Sequence, residues 1–347
     1  MRILLIIHRL LQGGGTETHV MTLAQELRRK GHQVGIFTLG GPWMYKAKRF
    51  ARIHSGRFTV GELRQVLAAN RYDVVHAHDG PGFRLIAQTT VPKRTRVFVT
   101  VHGTYIPRLV IRKCVPKVSR FITVSPVMFA YVTRYCGIPS SKVSLIENGV
   151  SMNRLQGAHR GKIQKRFGIP KDVKVIGYAG RFTAGKTLLG RRIVNVLTAH
   201  ANSQKNVWVV VAGRGSRRIL KNATRCQVLG HIDNMQAFYS SCDIVVGAGR
   251  VALESLASGT PTIAVGINHY VGPVVPATWP KAVKGNFGDH GFTMHNWTKA
   301  RLQSDIRKLL HPTAKLKRDL HEATRRVQLR YSSAAMARRV ESLYLIR

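Results

Sequence analysis

The sequence predicts an α/β protein made of two doubly wound, parallel-sheet domains facing a cleft, and three observations carry that expectation. The chain has 347 residues, which is long for one ordinary core and suited to two domains of roughly 150–200 residues. Buried-strand patterns alternate with amphipathic helical ones, the order that yields a parallel sheet with crossover helices. The same grammar then halts near residue 150 and restarts near 173.

Taken in order, MRILLII at 1–7 reads as a first strand. His8 and Arg9 break its apolar run, so a signal peptide is not expected. GGGTE at 13–17 reads as a loop, THVMTLAQELRRKG at 18–31 as a helix stopped by glycine, and HQVGIFTL at 32–39 as a second strand. VVHAH at 74–78, VFVTVHG at 97–103 and FITVS at 121–125 are further strands, and SLIENGV at 144–150 closes the half. A basic stretch leads out of it, so the domains are placed at 1–164 and 165–347. The second half repeats the scheme with VKVIGYAG at 173–180, VWVVVAGRG at 207–215, CQVLGHI at 226–232, CDIVVGAG at 242–249 and TPTIAVG at 260–266. In open α/β sheets ligands sit at the carboxyl ends of strands, so the function is expected there.

Composition narrows the class. Hydrophobic residues make up 44% and charged residues 20%, which excludes a disordered chain. The 56 Lys plus Arg against 15 Asp plus Glu give a formal charge of +41, a surface that attracts polyanions. An anionic membrane face or a highly charged substrate fits this better than a specific nucleic acid, and a basic surface with no specific partner also accounts for it. Cations cluster at 43–68, with Lys46, Lys48, Arg49, Arg52, Arg57 and Arg64, and in RLVIRKCVPKVSRF at 108–121, where they interleave with apolar residues as in membrane-surface segments. No apolar stretch reaches the roughly 18 residues of a membrane span. Cys114, Cys136, Cys226 and Cys242 show no metal or redox spacing and read as reduced thiols. A cytoplasmic protein, peripheral at the inner membrane face, is the expected location.

Several motifs now point one way. DIVVGAGRVALESLASGTPTIAVG at 243–266 resembles the nucleotide-sugar signature of the retaining glycosyltransferases that include glycogen synthases and bacterial lipid mannosyltransferases. GGGTETHV at 13–20, YDVVHAH at 72–78, TVHG at 100–103, IENGV at 146–150 and GRFTAGK at 180–186 stand in that family's order. The resemblance implies the GT-B fold, two Rossmann-like domains, with the last helix (about 332–347) crossing back to the first domain. It implies transfer from a nucleotide-diphosphate sugar, which is substrate rather than cofactor. The acceptor is unidentified, with a lipid-linked or cell-envelope glycan as candidate.

The resemblance also distributes roles. Arg181 and Lys186 match the family's two cations on the donor diphosphate, where negative charge builds as the glycosidic bond breaks. Such cations can replace a metal, and neither an Asp-x-Asp pair nor a ligand cluster suggests one. Gly249, Arg250 and Val251 form a glycine turn running into a helix N-terminus, whose unpaired backbone N–H groups and positive dipole end suit a donor phosphate. Glu254 corresponds to the glutamate that binds ribose hydroxyls, His102 to a histidine on the donor sugar, and Gly14 and Gly15 to the loop of the first domain. His78, Asp79 and Glu147 read as structural, and Asp289 in NFGDHG at 286–291 is a site candidate without a motif. One departure stands out: the family's second glutamate, eight positions before Glu254 and facing the transferred sugar, is Val246 here. Retention, by front-face attack, is implied by resemblance alone.

Three rival readings remain at this stage. GRFTAGKT at 180–187 fits the P-loop pattern of a nucleoside triphosphatase, although no later strand ends in an acid placed for magnesium. A non-catalytic relative that binds polyanions or membranes would account for Val246 and the charge. A sugar-nucleotide epimerase shares the fold.

Overall fold

The computed structural model describes residues 1–152, 160–267, 269–291 and 298–346. The fold divides into two compact units, Met1–Gly149 together with the chain from Ser333 on, and Val150–Ser332. The partition falls at Gly149/Val150 rather than at 164, and helix Arg160–Arg166, which spans the expected break, lies in the second unit. Val150 explains the early break: its N–H donates to the Tyr331 carbonyl at 2.8 Å, tying it to the second unit. Part of the basic stretch, 153–159, lies outside the described residues.

The first unit is a seven-stranded parallel sheet: β1 (Arg2–Ile6), β2 (Gln33–Thr38), β3 (Arg52–Ser55), β4 (Val74–Ala77), β5 (Arg96–Val101), β6 (Arg120–Thr123) and β7 (Val143–Leu145), in the order β3-β2-β1-β4-β5-β6-β7. Pairing of Leu4 with Val75 and of Ile6 with Ala77 sets the register of the central strands. From Ile3 to Ile6 every residue of β1 is buried, as expected of a strand covered on both faces. Alternation sends Leu4 and Ile6 to a core with Phe83, Leu63 and Phe121, and Ile3 and Leu5 to one with Val20, Leu23 and Leu27 of helix Gly15–Arg29. That helix begins at Gly15, so the expected loop at 13–17 is shorter: Gly14 is the N-cap, and its carbonyl accepts from the Thr18 N–H at 3.0 Å.

Helix Ser333–Leu345 completes the second of these cores with Met336, Ala337, Val340 and Tyr344. It is pinned by polar contacts, Glu341 to His32 at 2.7 Å, Ser333 to Glu26 at 2.8 Å and Arg339 to Glu147 at 2.7 Å. Glu147 is therefore structural, and so is Asp79, whose carboxylate caps helix Gly80–Gln88 by accepting from the Gly82 N–H at 2.8 Å.

The second unit is a six-stranded sheet: β8 (Lys174–Ala179), β9 (Val207–Ala212), β10 (Cys226–Gly230), β11 (Ile244–Gly247), β12 (Thr262–Val265) and β13 (Tyr270–Pro273), in the order β10-β9-β8-β11-β12-β13. Among the described strands only β13 runs antiparallel, against β12. Neither β3 nor β13 is legible from the sequence: β3 lies within the cation-rich stretch, and β13 contains a glycine and a proline. In each unit the winding reverses once, at β1/β4 and at β8/β11. Loops leaving the carboxyl ends of strands at such switch points are where doubly wound sheets bind ligands.

Candidate active site

In the second unit, the loops after β8 and β11 bring together residues far apart in sequence. Gly180 and Arg181 follow β8, and a short 3-10 turn, Ala184–Lys186, feeds helix Thr187–Asn202. After β11, Gly249 takes φ 56° and ψ −122°, a conformation that an L side chain rarely adopts, and helix Arg250–Ala257 starts behind it. A Cβ at Gly249 would lie 3.3 Å from the Asp289 carboxylate. Asp289 in turn accepts from the Lys186 ammonium at 2.6 Å. Burial alone would raise the Asp289 pKa, but the charges of Lys186, His290 and Arg181 outweigh it and hold the carboxyl at about 2. Arg181, Lys186, Gly249 and Asp289 thus form one charged cluster at the β8/β11 switch point.

The turn corrects one detail of the sequence reading, in which the helix start presents unused N–H groups. The Gly249 N–H donates to the Phe287 carbonyl at 3.2 Å and the Val251 N–H to that of Ala248 at 3.2 Å. An anion here would rely on the Lys186 and Arg181 charges and the remaining end of the helix dipole. One turn on, Glu254 is clamped from both sides: Arg250 donates to one carboxylate oxygen at 2.9 Å and the Tyr239 hydroxyl to the other at 2.9 Å. That fixes the carboxylate with lone pairs to spare for hydroxyl donors. Val246 is fully buried in the core with Ile176, Ile193 and Ile263, so its position presents nothing to a ligand.

In the first unit, Gly14 is buried and Gly15 exposed before helix Gly15–Arg29, and a Cβ at Gly15 would meet open space. His102 follows β5 and is nearly buried. Its Nε2 lies 3.5 Å from Nδ1 of His78, and its ring meets that of His19 edge-on with centroids 4.6 Å apart. Nitrogens of His19, His78 and His102 all lie within 4.8 Å of one another, a spacing that could hold a metal ion. His19 also contacts Asn148 at 3.0 Å, and His76 bridges Tyr344 at 2.6 Å and Thr100 at 2.7 Å. Sequence reading singled out His102 but not His19, because only the fold brings these segments together.

The cluster has a consequence for stability. Burial, and the proximity of His19, push the pKa of His76 well below 6.5; burial, with His76, His19 and His102 nearby, does the same to His78. The unfolded chain therefore takes up protons below pH 6.5 that the folded chain refuses. Stability is full above that value and falls with decreasing pH, by up to about 1.4 kcal/mol per pH unit for each histidine. Urea midpoints followed from pH 8 to pH 5 should be level at first and then drop, and a level profile down to pH 5 would contradict the account.

Comparison with known proteins settles what this arrangement belongs to. Residues 13–154 match the pattern of Glycosyltransferase Family 4, and residues 159–327 match that of Glycosyl transferases group 1. The chain belongs to the group 1 glycosyltransferases of GT-B fold. An uncharacterised glycosyltransferase of Methanocaldococcus jannaschii is 26% identical over 306 residues, covering 72% of this chain and 76% of that protein. A phosphatidyl-myo-inositol mannosyltransferase of Mycobacterium leprae is 23% identical over 308 residues, covering 76% and 80%. Among solved structures, Anabaena HepE in complex with UDP and glucose superposes with a TM-score of 0.77 at 18% identity, covering 99% of this chain and 98% of that one. A Rickettsia africae glycosyltransferase gives 0.76 at 19%, covering 99% and 97%. At such identities the structural likeness speaks for the fold of this glycosyltransferase.

Proposed function

We propose that the enzyme transfers a sugar from a nucleotide-diphosphate sugar, with retention and without a metal, to an acceptor exposed at an anionic membrane surface. The observation that carries the donor half is the convergence of Arg181, Lys186 and Gly249 at the β8/β11 switch point. Two cations there stabilise the charge that grows on the leaving diphosphate, and Glu254, oriented by Arg250 and Tyr239, accepts from the ribose hydroxyls. For His102 and the Gly14–Gly15 turn of the first unit the family resemblance alone supports a role, on the sugar and on phosphate or acceptor respectively. The solved complex of Anabaena HepE with UDP and glucose supports this class of donor.

Thermal unfolding with a panel of UDP-, GDP- and ADP-sugars tests the reading. A donor at 100 times its Kd stabilises by about 2.7 kcal/mol, a shift of several degrees. No shift with any member at millimolar concentration would sink it. The metal question is separate. Transfer should survive a chelator, whereas loss on chelation with recovery on adding zinc would turn attention to His19, His78 and His102.

The membrane half rests on where cations fall in the first unit. The segment 43–68 is not one amphipathic helix, being divided into helix Met44–Ala47, β3 and helix Val60–Asn70. Lys48, Arg49 and Arg52 instead line a hollow with Arg2 and Arg28. Leu109 of helix Arg108–Lys113 and Tyr105 just before it are exposed at 70% and 63%, and the Arg108 guanidinium lies over the ring of Tyr135, itself 57% exposed. Exposed apolar groups beside cations suit an anionic leaflet. No helix among the described residues is long and apolar enough to cross a membrane. The protein should sediment with phosphatidylglycerol vesicles at low salt, not with phosphatidylcholine vesicles, and release as salt rises. Equal sedimentation with both would exclude electrostatic docking.

A further inference from the structure

A nucleotide-diphosphate sugar offers two neighbouring chemistries, phosphate anions and a ring of hydroxyl donors. Cations serve the first, and an ionised carboxylate serves the second best, because O–H to O⁻ hydrogen bonds are short and strong. Acids are scarce in this chain, and most described acids of the second unit are committed elsewhere. Asp243 accepts from the Val175 N–H, Asp305 from the Tyr270 hydroxyl, Glu322 pairs with two arginines on an exposed helix, and Glu254, oriented by Arg250 and Tyr239, is assigned to the ribose. Asp289 differs: it stands against the Gly249 turn, on the diphosphate cation Lys186, with its side chain 29% exposed.

Its placement is held at a conformational cost. Asn286, Phe287 and Gly288 have φ of 47°, 53° and 92°, three successive left-handed residues of which two are not glycine. Phe287 costs about 1–2 kcal/mol there, whereas asparagine takes this region more readily, so the turn at Phe287 persists only because its surroundings fix it. Phe287 is 1% exposed and packs against Trp279 and Tyr331, while its carbonyl holds the Gly249 N–H. The Gly288 backbone passes so close to Gly266 that a Cβ there would come within 2.2 Å of the Gly288 carbonyl oxygen. What this costly turn achieves is to set an ionised carboxylate 2.6 Å from the Lys186 ammonium, at the mouth of β11, whose own Val246 faces the core.

From this geometry we propose that Asp289 is the donor-sugar contact of the enzyme: its carboxylate accepts hydrogen bonds from ring hydroxyls, while Lys186 lies between it and the diphosphate and keeps both in register. The proposal rests on the nucleotide-sugar reading above and assigns the residue that recognises the sugar. Asp289 would then choose among sugars by the hydroxyls it meets, whereas Glu254 and Arg181 recognise the nucleotide whatever sugar it carries.

Calorimetric titration of the full chain separates sugar contact from mere bracing of Lys186. The probes are the nucleotide sugar from the UDP-, GDP- and ADP-glucose and -mannose panel that wild type binds most tightly, and the matching free nucleoside diphosphate. Asp289→Asn should weaken the nucleotide sugar by about tenfold or more, since a site built to pair with hydroxyls loses much when a partner changes, and should change the free diphosphate by less than about threefold. An equal loss for both probes would mean that Asp289 only positions Lys186, and no loss for either would mean that it does neither; both results overturn the proposal. Should Asp289→Asn fail to fold, Asp289→Glu keeps the charge but moves it outward. A changed ranking of glucose and mannose donors then supports the assignment, and an unchanged ranking overturns it. If wild type binds no member of the panel, the nucleotide-sugar reading itself falls, and the proposal with it.

Discussion

Lys186→Ala is expected to lower the rate of sugar transfer by about 10²–10³, the loss that follows removal of one preorganised group facing a developing charge. The ammonium is only partly exposed and already fixed at 2.6 Å from Asp289, so it needs little reorganisation when charge appears on the leaving diphosphate. Because its stabilisation grows toward the transition state, kcat should fall more than donor affinity does. Thr187→Ala, one residue on at the start of helix Thr187–Asn202, should cost no more than a few-fold, and a chelator nothing. Glu254→Ala should chiefly weaken donor binding, since ribose contacts are equal in the ground and transition states. A magnesium-dependent triphosphatase reading the same GRFTAGKT segment as a P-loop would invert the pattern, with Thr187 critical and the chelator abolishing activity. Circular dichroism of Lys186→Ala is a necessary control, because the variant leaves the Asp289 charge with one neighbour fewer.

Much of this was legible in the sequence because the relevant signals are local. Buried parallel strands announce themselves as short apolar runs: β1, β2, β4, β8, β9 and β11 all lie within the segments so read, and β5 begins one residue before its segment, at Arg96. The glycine turn before Arg250 and the cations after β8 sit in contiguous motifs and could be named one by one. What escaped is non-local or unpatterned. Asp289 lies 103 residues from Lys186, in a segment with no motif, so its carboxylate could be suspected and not assigned. The histidine cluster joins residues from helix Gly15–Arg29, β4, the residue after β4, and the loop after β5, and only the strand order makes them neighbours. The antiparallel β13 has a glycine and a proline among its four residues, a composition that argues for a loop until β12 supplies its partner. The Gly249 and Val251 N–H groups, expected to await a phosphate, were claimed by carbonyls that sequence reasoning had no means to place.

The last helix is assigned to the first domain by the resemblance alone, with no local signal for which core its buried face completes, so the sharpest structural test falls there. Tyr344 is fully buried in the first unit, with its ring 4.9 Å from that of Phe98 and its hydroxyl 2.6 Å from Nδ1 of His76. Tyr344→Ala removes a large aromatic from a packed core, which costs about 3–5 kcal/mol. It also leaves a buried imidazole nitrogen without its partner, a further cost of about 1–3 kcal/mol that relaxation or an entering water would reduce. Tyr344→Phe isolates the second contribution and should cost only that smaller amount. Leu345→Ala, on the neighbouring residue that is 61% exposed, should change stability by less than about 0.5 kcal/mol. Hydrogen exchange resolves the effect by unit: amides of β1, β4 and β5 should exchange faster in Tyr344→Ala, while those of β8, β9 and β11 keep their protection. The arrangement predicts this asymmetry because Tyr344, His76 and Phe98 share one core with Ile3, Leu5 and helix Gly15–Arg29. A loss below about 1 kcal/mol for Tyr344→Ala would show that the closing helix does not hold this sheet together.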